Sequence, residues 1–145
     1  MEYMSQQNAV VATIDPDAYT AATYTTDGVD MDVFPQCIFI VMVGDMETGS
    51  TVDFSIRRST DNSTFVAMSP AKAITQLTAA GTDDDKQVVV HVDAAELGDG
   101  YRYCQGSLVV ADAASDAAVV AIADHSRYKP ATDYDLASVD EIVTS

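Results

Sequence analysis

Residues 52–68 read VDFSIRRSTDNSTFVAM. Val52, Phe54 and Ile56 fall on one side of an alternation, and Asp53, Ser55 and Arg57 on the other. A period of two belongs to a strand with one face buried and one face wet. STDNST interrupts it with side chains able to bond their own backbone, which marks a turn. Residues 65–68 then return as the second strand of a hairpin.

The same reading extends in both directions. Residues 36–43 (QCIFIVMV) are a nearly continuous apolar run between Pro35 and Gly44, the pattern of a central strand covered on both faces. Residues 9–14 (AVVATI) predict a strand stopped by a turn at Asp15-Pro16. Residues 17–32, rich in Thr, Ala and Asp, predict a loop or irregular edge segment turning at Asp27-Gly28. Downstream, residues 73–78 (AITQLT) predict a short strand, AAGTDDD an acidic turn, and residues 86–92 (KQVVVHV) a strand with Val88, Val90 and Val92 on one face. DAAEL predicts one helical turn with Asp93 as N-cap. Residues 101–110 (YRYCQGSLVV) predict a long strand with Gly106 at a bulge. Alanine also lets residues 117–124 (AAVVAIAD) be read as helix, but a hairpin with residues 101–110 favours strand. SVDEIV near the end reads as a last edge strand or an arm.

About eight or nine short strands with regular turn signals characterise a sandwich or barrel. The fold class is therefore all-β: a single-domain antiparallel β-sandwich or jelly-roll-like barrel with one short helical turn. Residues 33–130 form its core, 1–32 an irregular N-terminal arm or edge segment, and 131–145 an acidic C-terminal tail or arm.

Composition narrows the function. The chain has 145 residues, 7 Lys+Arg, 23 Asp+Glu and a net charge of −16. Phosphate binding needs clustered cations, so nucleic acid is disfavoured, as are anionic membranes. The charge favours solubility and repulsion between free copies. The first residues carry neither a basic nor an apolar leader segment. The expected location is the cytoplasm of synthesis, unless the chain leaves within a particle. Cys37 and Cys104 lie in apolar stretches and read as two buried free thiols, with a single bridge between core strands as the alternative.

No catalytic set can be assembled. A nucleophile needs a base beside it, and His91 and His125 read as surface or half-buried side chains. Asp83, Asp84 and Asp85 are the densest acid cluster. They lack Ca²⁺-loop spacing and point in different directions, so they read as a solvated turn. No cofactor or metal is expected. Tyr101 and Tyr103, or Tyr3, Tyr19 and Tyr24, are the residues that an aromatic sugar platform would use.

Taken in order, QCIFIVMV, VDFSIRRSTDNSTF, ITQLTAA before an acidic turn and a Val strand, and the closing RYKP resemble a group of small proteins encoded by tailed bacteriophages, the head decoration or cement proteins. The likeness covers roughly residues 33–130, about two thirds of the chain. It implies a non-enzymatic structural protein of the virion. Such a protein binds the outer surface of the assembled head through the major capsid protein and stabilises it, often as a homotrimer. The alternative is a non-catalytic binding module of a head fibre or tail, with possible sugar affinity. Arg57, Arg58, Arg127 and Tyr128 are the candidate inter-subunit contacts. For the arginine pair the competing reading is a hairpin end paired locally with Asp53 or Asp61.

Overall fold

In the computed structural model, which describes residues 3–144, the chain folds as two antiparallel sheets packed face to face. A short helix, α1 (Met4–Gln7), leads into β1 (Asn8–Tyr19), β2 (Ala22–Thr25), β3 (Val29–Asp30), β4 (Gln36–Met46), β5 (Thr51–Ser59), β6 (Val66–Ala67), β7 (Leu77–Thr78), β8 (Gln87–Asp93), β9 (Tyr103–Ala111) and β10 (Ser115–Asp124). The first sheet runs β1-β10-β4-β8 and the second β2-β9-β5-β6, with β3 also on β9 and β7 also on β5. β2 with β3, and β6 with β7, act as two interrupted edge strands. The eight strands divide four to each sheet, the double-sheet arrangement of a jelly roll. The first 32 residues supply one edge of each sheet.

The alternation in β5 is reproduced side chain by side chain: Val52, Phe54 and Ile56 are buried, while Asp53, Ser55 and Arg57 face outward. The buried face of β4 carries Cys37, Phe39 and Val41. The Phe39 and Phe54 rings meet at the centre, with centroids 5.9 Å apart.

Four expectations need correction. Residues 117–124 do form a strand, but β10 pairs with β1 and β4, not with β9. Alternation shows that each strand buries one face; it does not distinguish neighbours in one sheet from partners across a core. The turn between β9 and β10 carries the chain from one sheet to the other, tied down by Ser50 Oγ donating to the Ala113 carbonyl at 3.0 Å. Gly106 is not a bulge, since its register with Ile56 is regular. Pro16 does not end β1; it sits in a register shift between Ile14 and Asp17, where its missing N–H is tolerated. Residues 36–43 are covered on one face only: Ile38 and Ile40 are half-buried and Met42 is 47% exposed.

The helical turn expected after Asp93 is a 3-10 turn at Ala94–Leu97. Glu96 closes it by accepting the Asp93 N–H at 2.9 Å, and Lys72 reaches the same carboxylate at 2.6 Å. Further short 3-10 turns occur at Ala79–Gly81 and Ala131–Tyr134. The tail forms no strand over the described residues. It docks on β1: Asp135 Oδ1 accepts the Val10 N–H at 2.6 Å and the Leu136 N–H donates to the Val10 carbonyl at 2.9 Å. Tyr134 packs edge-on against Phe34, centroids 5.5 Å apart.

Arg102 grips Asp30 with two bonds of 2.8 and 2.6 Å, pinning the β3 edge to β9. Those bonds hold the Asp30 carboxyl below its ordinary 3.8. Because the folded value is depressed, the contribution to stability is complete above the unfolded value and disappears as pH falls through the folded one. Asp30→Asn is expected to cost roughly 1 kcal/mol or less near neutrality, since the pair is partly exposed. The variant and the parent should draw together in urea midpoint only as pH falls below the depressed folded value; a difference that persists once the carboxyl is protonated in both states would assign Asp30 another role.

Cys37 and Cys104 are both buried free thiols, one from each sheet, with sulfurs in hydrogen-bond contact at 3.9 Å and no disulfide between them. The hydrogen bond with Cys37, then burial, pushes the Cys104 thiol well above its ordinary value. Both side chains are closed off from solvent, so neither should react with a disulfide reagent near neutral pH until the protein is denatured, when both are released. Rapid labelling of the native protein would contradict this packing.

Candidate docking surface

Each arginine of the β5 pair has a hydrogen-bond partner within the chain. Arg57 Nη2 donates to the Phe65 carbonyl at 2.5 Å, which closes the turn of the hairpin. Arg58 shares the inward parity of Ile56 and turns toward the end of the sandwich. Its Nη1 donates to the Leu97 carbonyl at 2.5 Å, its guanidinium lies 4.0 Å from the Tyr101 ring centroid, and its Nε is buried without a partner. The local partners are therefore carbonyls and not acids. Asp53 accepts from Gln76 at 2.7 Å, and Asp61 caps its own turn through the Ser63 and Thr64 N–H groups. Arg127 and Tyr128 follow β10 in an exposed loop, where the Arg127 N–H donates to the Val33 carbonyl at 2.8 Å.

The other candidates also have structural work. Asp83 accepts the Thr78 N–H and Asp84 the Met46 N–H, at 2.9 and 2.8 Å, so two of the three consecutive acids cap turns. Among the described residues no group of three or more His, Cys, Asp or Glu is placed to hold a metal ion. His91 faces outward beside Asp93, and His125 lies against Asp124. Tyr101 and Tyr103 carry Arg58 and Arg102 over their rings. Tyr19 and Tyr24 instead meet at 4.4 Å and line an open polar cleft of about 530 Å³ with Asp15 and Asp27.

The largest unexplained feature is the outer face of the β1-β10-β4-β8 sheet. The registers lay it out in rows. Val89, Ile40, Val120 and Thr13 form one row; His91, Ile38, Ile122 and Val10 form the next; Gln87, Met42 and Ala118 form a third. These rows hold no Asp, Glu, Lys or Arg, in a chain with 23 acids. Val89 is 60% exposed. Rows about 7 Å apart on strands about 4.8 Å apart define a patch on the order of 300 Å². The outer face of the other sheet is polar, carrying Asp53, Ser55, Arg57, Thr23 and Gln105.

One end of this face deepens into a cleft of about 590 Å³, floored by Val10, Ile38 and Ile122 and walled by Val139 and Ile142 of the tail. Acids frame the patch. Asp93 and Asp124 stand at the cleft end, and Asp116 and Asp85 at the other, where Lys86 also lies. Exposed Asp15 and Asp17 flank the β1 side. The sequence carried this signal as apolar residues at both parities of β4, β8 and β10. Full burial and one-sided exposure give the same string.

No family model and no curated protein matches the chain. Among solved structures, the fold is similar to chains in structures of infectious bursal disease virus. The Gx strain matches at 13% identity with a TM-score of 0.53, and the Gt strain at 10% with a TM-score of 0.53. Each match covers 87% of this chain but 34% and 35% of the viral ones, so the chain spans about a third of their length. At such identities the likeness is one of fold.

Proposed function

We propose that this chain is a non-catalytic structural protein of a virus particle, a decoration protein that binds the outer surface of an assembled bacteriophage head and stabilises it. The observation that carries the reading is a jelly-roll sandwich, similar to chains in virus structures, whose one large apolar face is left open. An outer protein needs no contact with DNA, so its acidity is allowed. Repulsion between free copies keeps such a face soluble until a shell offers a partner. A trimer on the major capsid protein would gain further from multivalency, because weakly binding protomers make a tightly binding oligomer.

Quantitative mass spectrometry of purified virions tests the reading through the ratio of this chain to the major capsid protein. A near-stoichiometric ratio is expected. Absence from the particle would end the proposal, and a few copies per particle would favour a fibre or tail component.

The tyrosine-lined polar cleft supports a second reading, a sugar-binding module. Glycan arrays with a Tyr24→Ala control test it, and retention of a glycan by the parent alone would favour it.

A further inference from the structure

We infer that the outer face of the β1-β10-β4-β8 sheet is the surface that docks, and that its occupant is a protein surface with an apolar ridge bordered by Lys and Arg. The inference rests on the shell-binding reading above and names the face and the chemistry of its partner.

Two features set the occupant. The first is a centre without Asp, Glu, Lys or Arg. Ile38, Ile40, Met42, Val89, Val120 and Ile122 form one continuous apolar surface, half-buried or exposed. Patches of this size on a soluble protein are commonly functional. An interface of standard size needs about 800 Å² from each partner, so the patch is an interface core and the rest must come from the rim.

That rim is the second feature. Asp93, Asp124, Asp116, Asp85, Asp15 and Asp17 surround the centre, and cations on a partner would meet them. A second copy placed face to face would oppose acid to acid. An anionic lipid surface meets the same repulsion. The other outer face offers no apolar centre, so only one side of the sandwich combines both features.

The test uses the full chain and heads assembled without it. Val89→Asp and Met42→Asp each place a charge in the centre at a position exposed by 60% and 47%. Both should fold, which circular dichroism and an unchanged melting temperature would verify. Binding to heads should fall at least roughly tenfold for each, as expected at the centre of an interface. Asp116→Lys tests the rim separately. It should slow association severalfold at low salt and flatten the salt dependence, while the parent weakens severalfold between about 0.1 and about 0.5 M NaCl.

Parent binding with no effect of the central substitutions would overturn the inference and leave the shell-binding reading standing. So would parent binding that strengthens with salt. Central variants that dissociate an oligomer yet still bind heads would assign the face to a second copy, and this too overturns the inference. Failure of the parent itself to bind heads would sink the shell-binding reading.

Discussion

Phe39→Ala is expected to destabilise the protein by about 3–5 kcal/mol, more than any surface change. Phe39 is fully buried in β4 and touches Phe54 of β5 across the sandwich. Truncation removes the transfer energy of the ring and leaves a cavity that cannot collapse, because both sheets are held by long ladders on either side. Domains of this kind have total stabilities of roughly 5–15 kcal/mol, so the melting temperature should fall by roughly 10 °C or more. A loss below about 1 kcal/mol would mean that the sheets close over the gap and that the central ring contact does little to hold them. The consequence reaches the outside. The docking face lies on the other side of the same strand, in Ile38 and Ile40, so a loosened β4 should also weaken head binding.

Strand identity was legible wherever one parity was apolar and the other polar. β5 shows this: Val52, Phe54 and Ile56 are buried as alternation requires. Sheet membership was not legible. β4 and β5, and again β9 and β10, are consecutive strands in opposite sheets, and no local signal distinguishes that crossing from a hairpin. Pro16 misled for a related reason. Its missing N–H forbids a regular ladder position but is compatible with an irregular one.

The arginine pair has partners that charge counting does not show. In a chain with 7 basic residues, two adjacent arginines invite a binding role. The structure gives both of them carbonyls of their own chain. A guanidinium offers five donors, and a turn closed by a carbonyl is visible only once the turn is folded. The docking face was hidden differently. Ile38, Ile40, Met42, Val120 and Ile122 all lay in segments read as strands, and the structure bears that out. What sequence does not supply is whether the second side of β4 meets another layer or solvent. That depends on where the tail and α1 lie, and they cover only the cleft end.

Gly106→Ala should cost about 1–3 kcal/mol, although alanine is a better strand residue than glycine. The reason is the close approach at the sandwich centre. A Cβ on Gly106 would stand 2.5 Å from Phe54 Cζ and 3.2 Å from Phe39 Cδ1. Phe54 is buried among fixed neighbours and cannot withdraw. The missing side chain of β9 is thus the space the Phe54 ring occupies. If steric conflict is the cause, a smaller ring partner must relieve it. Phe54→Leu alone creates a cavity and destabilises, but the Phe54→Leu, Gly106→Ala double variant should be more stable than the two single losses predict, with a coupling of about 0.5–3 kcal/mol in urea unfolding. Strict additivity would instead place the cost of Gly106→Ala in the backbone, where the regular register of β9 against β5 gives no cause for it.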